Sequence, residues 1–518
     1  MPATKKRKRG QQDIEFSLKR IFGKKSFRSA STNLVRLALT NHPSRPLQRD
    51  VITTALDGED VFLQAATSFG KSLCFQLPAI VDHGLTLVIS PLLALMNNQV
   101  AALRAADIRV ATINSTTPKA EKDAVMEDLQ CGHPLTRLLY ITPEYCQLDH
   151  FRRILRIIHS HRELARIAVD EAHCISEWGH DFRPSFKRLS FFKQEFPDVP
   201  VMCLTATATA KVRNDIISTL ALDPKKLKLF TMTTSRPNLH YEIRFKSDEE
   251  DHYDNFVGWL RAAQKRRSAD AERVAALKAA GKRPDAISGI IYTLYRRDCE
   301  ALAARLRGSN LGARAYHAGL ANTEKDEVLA NWVANTPGYE IVVATTAFGM
   351  GIDKEDVRFV VHWQLPKSFE GFYQEAGRAG RDGKAAIHIM YYAREDRDRA
   401  LNHMARDIAR ESNGAGYPVE AYGGGGGATR ATDEKMEKHK NRVDSLQKLV
   451  EYCENVSACR HKLIAKYFGE QAEVPCEWAC DWHKDPKKLK RAKELGLATE
   501  EWCSTQREMG HFDIDPYE

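Results

Sequence analysis

The sequence lacks the long uncharged apolar run that a membrane-spanning helix requires. Its longest apolar stretches, such as TLVIS and EIVVATTAFGM, have only the length of strands, and the mean hydropathy is −0.44. We therefore expect no membrane partner. The basic N-terminus, MPATKKRKRG, is not followed by an apolar segment, so the sequence predicts no secretory signal. An odd number of cysteines, eleven, without such a signal indicates a reducing compartment rather than a disulfide framework.

The composition allows several globular domains. The 518 residues are 43% hydrophobic, which is enough for sizeable cores, and a chain of this length suggests about three domains. The net charge of +9 is compatible with a polyanionic partner but does not require one. The run KKRKR near the N-terminus is either a nuclear localisation patch or a solvated arm, and the sequence leaves both interpretations open.

Short apolar runs bounded by polar residues alternate with helical patterns in two series. The first series is DVFLQA, LTLVIS, RVATIN, RLLYIT, RIAVDE and VMCLTA; the second is GIIYTL, ARAYHA, EIVVAT, VRFVVHW and AIHIMYY. This pattern predicts two α/β units in tandem, each with a parallel sheet. The basic stretch 261–288 between them is interpreted as a surface helix or insert, and the glycine-rich residues 411–433 as a linker.

The segment AATSFGKS, which follows the apolar run DVFL, predicts a phosphate-binding loop. It fits A-x4-G-K-S, a P-loop variant in which Ala65 replaces the first glycine and Ser68 stands where many such loops have glycine. Such loops direct backbone N–H groups at phosphate oxygens. Lys71 would add a charge for the outer phosphates, and the Ser72 hydroxyl is a candidate Mg²⁺ ligand.

Two adjacent carboxylates end the apolar run RIAVDEAH. Asp170 is a second candidate Mg²⁺ ligand, and Glu171 is placed to orient an attacking water. Phosphoryl transfer depends mainly on positioning and charge stabilisation, so these groups suffice for ATP hydrolysis. The alternative is an acidic turn at a strand end, and the upstream P-loop favours the catalytic interpretation.

The order of the motifs resembles that of superfamily 2 helicases of the RecQ type. The matching segments are AATSFGKS (motif I), VISPLLALMNNQV (Ia), YITPE (Ib), DEAH (II), LTATAT (III), GIIYTLYRR (IV), ATTAFGMGIDKEDVRFVVHW (V) and YQEAGRAGRDG (VI). SEWGHDFRPSF after motif II, YHAGL, and CRHKLIAKYFGE near the C-terminus are also similar to RecQ proteins. The short C-terminus is most similar to the fifth human RecQ paralogue's type.

The resemblance implies two tandem RecA-like domains followed by a small helical zinc-binding subdomain. The expected division is a basic disordered arm (1–21), RecA-like domain 1 (22–240), RecA-like domain 2 (241–395), the zinc subdomain (396–485) and a charged tail (486–518). It further implies an ATP- and Mg²⁺-dependent 3′–5′ DNA helicase in DNA repair or recombination, located in the nucleus. The implied partners are single-stranded and tailed duplex DNA.

The resemblance also assigns roles to residues. The implied catalytic residues are Lys71, Asp170, Glu171, Gln374, Arg378 and Arg381, with Arg381 as the arginine finger. The implied nucleotide-binding residues are Gln48, Thr67, Ser68, Phe69, Gly70, Lys71, Ser72, Gly351 and Asp353. The implied DNA-contacting and coupling residues are Trp178, His180, Phe182, Arg183 and Phe186, the aromatic rings offering faces for unstacked bases.

The sequence departs from the family ahead of motif I and after the cysteine cluster. Residues 29–45 separate Phe27-Arg28 from Pro46-Leu47-Gln48, and they are either a natural insert or a gene-model artefact. No winged-helix segment is recognisable after His483, which puts the strength of unwinding in question. A DNA-stimulated ATPase or annealing factor and a non-catalytic nucleic-acid scaffold are therefore the alternative functions.

The C-terminal cysteines have the spacing of a zinc site. The set Cys459-x16-Cys476-x3-Cys480-x2-His483 suits tetrahedral zinc, whereas RecQ proteins usually have four cysteines here. Cys453 is an alternative fourth ligand outside the matching pattern, and buried free thiols are the alternative to a metal site.

Overall fold

The computed structural model describes residues 11–24, 47–66, 69–176, 183–246, 251–279, 281, 283–349, 354–413, 427–470, 476 and 479–507. The chain divides into two compact units. The first comprises Met1–Thr234 with Phe468–Glu473, and the second comprises Ser235–Tyr467 with Val474–Glu518. The stretch expected to form a separate zinc subdomain belongs mainly to the second unit.

A parallel sheet forms the centre of the first unit. Its strands are β1 (Val61–Gln64), β2 (Leu85–Ile89), β3 (Val110–Ile113), β4 (Leu138–Ile141), β5 (Leu164–Asp170), β6 (Val201–Thr205) and β7 (Lys228–Thr231), in the order β3-β4-β2-β5-β6-β1-β7. Every pairing is parallel, so all carboxyl ends lie at one edge. Successive side chains of a strand point to opposite faces: Phe62 packs into one core and Val61 and Leu63 into another.

Helices cover this sheet. They are α1 (Gln11–Arg20), α2 (Leu47–Leu56), α3 (Lys71–Val81), α4 (Leu93–Ala105), α5 (Lys119–Gln130), α6 (Asp149–Ser160), α7 (Pro184–Lys187), α8 (Phe191–Glu195) and α9 (Ala210–Thr219). Helix α6 shows the sequence basis of this packing. It buries Phe151, Ile154, Leu155 and Ile158, whose spacing places them on one helical face, while Arg153 and Arg156 are exposed.

The second unit repeats the architecture. Its strands are β8 (Leu239–Phe245), β9 (Gly289–Tyr292), β10 (Ala313–Tyr316), β11 (Ile341–Ala344), β12 (Phe359–His362) and β13 (Ala386–Tyr392), in the order β10-β11-β9-β12-β13-β8. All pairings are again parallel. Its helices are α10 (His252–Ala269), α11 (Ala271–Ala279), α12 (Arg296–Gly308), α13 (Asn322–Val333), α14 (Phe369–Ala376), α15 (Arg394–Asn413), α16 (Gly427–Glu454), α17 (Arg460–Tyr467), α18 (Asp481–Lys484) and α19 (Pro486–Arg507).

The predicted fold class is confirmed. Each apolar run of the two predicted series contains a strand, and both sheets are parallel. Strands β7 and β8 were absent from the prediction. The expectation of disorder over 1–21 was wrong for residues 11–20, which form helix α1 and bury Ile14 and Leu18 in the core of the first unit. The basic stretch 261–288 contributes to helices α10 and α11, and the centre of the glycine-rich stretch, residues 414–426, lies outside the described residues. Among the described helices, none has the length and apolarity needed to cross a bilayer.

Candidate functional site

The phosphate loop lies between β1 and α3 in the first unit. Gly70 precedes the helix with a φ of 84°, in the left-handed region, and a Cβ there would lie 3.0 Å from Gln48 Nε2. Glycine is therefore favoured at this position. The first N–H groups of α3 lack helical acceptors, so this end of the helix suits an anion. Thr67 and Ser68 of the loop lie outside the described residues.

Two side chains secure this loop. Lys71 is only 8% exposed, and its Nζ donates to the Ala65 carbonyl oxygen at 3.0 Å. Gln48, on α2, is buried, and its Nε2 donates to the carbonyl oxygens of Phe69 and Gly70, each at 3.2 Å. Gln48, predicted to contact the nucleotide base, is therefore bonded to the phosphate loop itself.

The acidic pair lies at the same edge of the sheet as the phosphate loop. Asp170 ends β5 and pairs in register with Leu204 of β6, which itself pairs with Leu63 of β1. Asp170 is 4% exposed. Burial, followed by the adjacent charge of Glu171, raises its pKa to about 7, while the charge of Lys71 opposes this rise. The site thus has buried negative charge next to a lysine.

Glu171 has a φ of 50°, an unusual left-handed conformation for a residue other than glycine. Its Oε2 lies 3.3 Å from His173 Nδ1, and the same nitrogen lies 3.1 Å from the Thr205 hydroxyl at the end of β6. The backbone turn and these contacts fix the Glu171 carboxylate at the edge of the sheet, where the phosphate loop also lies.

The aromatic segment after the acidic pair is only partly described. Trp178, His180 and Phe182 lie outside the described residues. Arg183 donates from NH1 to the Pro91 carbonyl oxygen at 3.0 Å. Phe186 is 0% exposed and packs in the core of the first unit. The predicted role of Phe186 as a stacking face is wrong for this structure, because a ring enclosed by apolar neighbours presents no face to a base.

In the second unit, the predicted motif VI residues lie on and after α14. Gln374 and Arg378 are buried and Arg381 is partly buried. Gly351 and Asp353 lie outside the described residues. Sequence reasoning missed the residue that holds this segment: the buried Arg236 donates to the carbonyl oxygens of residues 377, 379 and 380 at 2.7–2.8 Å.

A series of buried, hydrogen-bonded polar side chains begins at Glu375 on α14. His362 Nε2 is 2.7 Å from Glu375 Oε2, and His362 Nδ1 is 2.7 Å from His388 Nε2. Burial, followed by the neighbouring His362, lowers the pKa of His388 well below its usual value. Since Glu375 immediately follows Gln374, this chain fixes the orientation of the motif VI helix.

The predicted zinc ligands converge in the second unit. The sulfur of Cys480 lies 3.7 Å from that of Cys476, 3.9 Å from that of Cys459 and 3.3 Å from His483 Nδ1. Tetrahedral zinc with bonds of about 2.0–2.3 Å separates its ligand atoms by roughly 3.3–3.8 Å, so the set fits this metal. Among the described residues, no other group of three or more His, Cys, Asp or Glu side chains has such an arrangement. Cys453 lies apart, with its thiol against the Met390 sulfur.

The three thiols of the cluster share hydrogen bonds. These bonds lower the pKa of the Cys459 thiol and raise the pKa of the Cys476 thiol. Thiolate is the form that binds metal. Cys480 forms a parallel bridge with Tyr241 of β8, which attaches the cluster to the edge of the sheet.

An ion pair that the sequence did not indicate supports the cluster. Arg460 is 0% exposed and forms two hydrogen bonds with the Asp481 carboxylate, Nε–Oδ1 at 2.8 Å and NH2–Oδ2 at 3.0 Å. Asp481 also accepts from the backbone N–H of Ile243 at 3.0 Å. Each partner directly follows a zinc-ligand cysteine in the sequence, but their pairing is evident only in the folded chain.

Comparison with known proteins supplies the family. Residues 45–216 match the model of the DEAD/DEAH box helicase, residues 273–383 that of the helicase conserved C-terminal domain, and residues 424–484 that of RecQ zinc-binding. The two helicase models support ATP as a ligand, and the RecQ zinc-binding model supports Zn²⁺.

Curated relatives cover most of this chain. The rat ATP-dependent DNA helicase Q5 is 35% identical over 516 residues, 98% of this chain and 47% of the relative. The RecQ-like DNA helicase BLM of Xenopus laevis is 39% identical over 83% of this chain and 28% of the relative. This chain thus spans about half the length, or less, of these relatives.

Solved structures agree in fold. The helicase MrfA bound to DNA is similar with a TM-score of 0.53 at 18% identity, over 74% of this chain and 51% of that one. Mss116p bound to single-stranded RNA and AMP-PNP has a TM-score of 0.51 at 14% identity, over 78% and 86% of the two chains. Because the three family models match in order and the similarity to the rat Q5 helicase covers 98% of this chain, the chain belongs to the RecQ family of helicases.

Proposed function

We propose that this chain is an ATP- and Mg²⁺-dependent DNA helicase that moves 3′ to 5′ along a single strand and separates duplex DNA in repair or recombination. The observation that supports this most directly is the convergence of Lys71 and the Asp170–Glu171 pair at one sheet edge, beside the open end of α3. This arrangement combines an anion site with the carboxylates that ATP hydrolysis requires.

Ser72 and Asp170 are the proposed Mg²⁺ ligands. Hydroxyl and carboxylate oxygens are the donors that Mg²⁺ prefers, and the raised pKa of Asp170 reflects negative charge that burial and Glu171 disfavour. A bound cation would relieve this cost and would neutralise phosphate charge. Lys71 would contact the outer phosphates, and Glu171 would orient the attacking water and accept its proton.

In the second unit, Gln374, Arg378 and Arg381 are proposed to act during hydrolysis, with Arg381 as the arginine finger. Positive charge near the transferring phosphoryl group stabilises its transition state. The hold of Arg236 on the backbone of this segment supports the proposal, because a charge must be fixed in position to act in this way.

The proposed DNA partners are single-stranded DNA and duplexes with a 3′ tail. Trp178, His180, Phe182 and Arg183 are proposed to couple strand binding to hydrolysis, since their segment is joined directly to Glu171. The run KKRKR is proposed to direct the protein to the nucleus. Zinc, held by Cys459, Cys476, Cys480 and His483, is proposed to stabilise structure rather than to act in the reaction.

The test is ATP-driven strand displacement on a 3′-tailed duplex, with Lys71→Ala as the inactive variant and the exposed Lys225→Ala as the matched control. We expect displacement by the wild type and Lys225→Ala and none by Lys71→Ala. DNA-stimulated hydrolysis without displacement would instead identify a translocase or annealing factor. Absence of both hydrolysis and displacement would favour a scaffold.

A further inference from the structure

A hydrogen-bonded polar cluster lies behind the phosphate loop in the first unit. It joins Ser72 and Gln76 of α3, Gln99 of α4 and Tyr140 of β4. Gln99 Nε2 donates to Ser72 Oγ at 3.2 Å, and Gln99 Oε1 accepts from the Tyr140 hydroxyl at 2.9 Å. Gln99 is thus in direct contact with a proposed Mg²⁺ ligand, although neither the P-loop nor the acidic pair includes it.

The cluster determines which way the Gln99 amide points. Gln76 Nε2 donates to both the Tyr140 hydroxyl, at 3.0 Å, and Gln99 Oε1, at 3.2 Å. Because the Tyr140 oxygen accepts from Gln76, its single proton is directed to Gln99. Two donors therefore face Gln99 Oε1, which leaves the amide nitrogen facing Ser72.

The orientation of the Gln99 amide restricts the directions in which the Ser72 hydroxyl can form other contacts. A hydroxyl oxygen has two lone pairs. One accepts from Gln99, so the other and the hydroxyl proton are restricted to the remaining directions. Tyr140 is 1% exposed, and its interior position limits movement of the donor that fixes Gln99. The side chain that would bind the cation is thereby oriented in advance.

We propose that Gln99 is a positioning residue for Mg²⁺-dependent nucleotide binding: it fixes the Ser72 hydroxyl, and Tyr140 fixes Gln99. The inference rests on the proposed function of the phosphate loop. A purely structural role, in which the cluster only satisfies polar groups of the interior, is the competing explanation. The two explanations differ in whether removal of the Gln99 side chain weakens nucleotide binding more in the presence of Mg²⁺ than in its absence.

The experiment compares wild type, Gln99→Leu and Tyr140→Phe, with the exposed Gln130→Leu as the matched control. Affinity for a fluorescent ATP analogue is measured by equilibrium titration with excess Mg²⁺ and with EDTA, and thermal unfolding is recorded for each variant. With Mg²⁺, we expect Gln99→Leu to bind about three- to tenfold more weakly, the effect of one hydrogen bond. With EDTA, its affinity should match that of the wild type.

Tyr140→Phe should show a smaller loss in the same direction, because Gln76 still donates to Gln99 Oε1. The Tyr140→Phe variant also tests the positioning role of Gln99 if the Gln99→Leu variant does not fold. Equal losses with Mg²⁺ and EDTA, or no loss in either variant, would overturn the positioning role. A wild type whose affinity does not depend on Mg²⁺ would overturn both this role and the proposed Mg²⁺ site, whereas a Mg²⁺-dependent wild type with unaffected variants would overturn the positioning role alone.

Discussion

The phosphate-loop site of the first unit and the cysteine cluster of the second differ in how they treat buried charge. At the first site, Asp170 and Glu171 are buried next to each other, and the pKa of Asp170 rises to about 7. At the second, the buried Asp481 is paired with Arg460 and also accepts a backbone hydrogen bond. The phosphate-loop site leaves the charge of its carboxylates only partly compensated, whereas the cysteine cluster has a carboxylate whose charge is compensated by an arginine of the same unit.

This difference distinguishes a site that must bind and release a ligand from one that maintains structure. Partly compensated carboxylates and the left-handed backbone of Glu171 destabilise the folded protein, and such features concentrate at functional sites. A satisfied ion pair beside a closed ligand set suits a permanent metal. Substitutions at the two sites should therefore change the free energy of unfolding in opposite directions, and the effects below decrease in size.

The largest effect is expected for Cys480→Ala, because the Cys480 sulfur contacts the other three ligand atoms. Bound zinc should fall from one ion per chain to none, and the second unit should lose several kcal/mol of stability, since structural zinc stabilises directly. Metal analysis and thermal unfolding measure both. Cys453→Ala, which removes a thiol outside the cluster, should retain its zinc. Equal zinc content in the two variants would contradict the ligand assignment.

The next effect is expected for Arg460→Met. Removing one partner of a buried ion pair leaves the other charged and unpaired, which costs about 3–5 kcal/mol. Denaturant unfolding should show this loss. The double variant Arg460→Met with Asp481→Asn should recover part of it, because the unpaired charge is then removed as well. A single variant as stable as the wild type would mean that the pair does not support the cluster.

The features of these two sites that could be predicted from the sequence are those formed by residues close together in the chain. The strands other than β7 and β8, the P-loop, the acidic pair and the cysteine spacing were visible, because each consists of residue types at short fixed spacings. The pairing of Arg460 with Asp481 and the hold of Arg236 on residues 377–380 join distant segments, so only the folded chain shows them. Phe186 was misinterpreted because an aromatic ring near a functional motif has the same sequence signal whether it is exposed or buried.

Asp170→Asn should have the opposite sign. The pKa of Asp170 is raised in the folded protein, so removing its charge should raise the free energy of unfolding of the first unit at neutral pH by about 1 kcal/mol. ATP hydrolysis should fall by about 100-fold or more, because a proposed Mg²⁺ ligand is lost. Asp123→Asn, which changes an exposed carboxylate on α5, is the matched control and should change neither quantity. A less stable Asp170→Asn protein would remove the contrast between the two sites.

The smallest effect at neutral pH concerns His388, which extends the comparison to the helix of motif VI. Burial and the neighbouring His362 lower the pKa of His388, so the folded protein keeps this ring neutral. Below about pH 6.5, the ordinary histidine value, the unfolded chain gains a proton that the folded chain does not.

Stability should therefore be retained above that pH and decline below it, by at most about 1.4 kcal/mol per pH unit from this residue. His388→Gln should reduce the pH slope of the free energy of unfolding between pH 6.5 and 5, as measured by denaturant unfolding. An unchanged slope would mean that His388 is protonated in the folded chain. The Glu375–His362–His388 chain would then contain a compensated charge, as the Arg460–Asp481 pair does, rather than the neutral ring inferred from its burial.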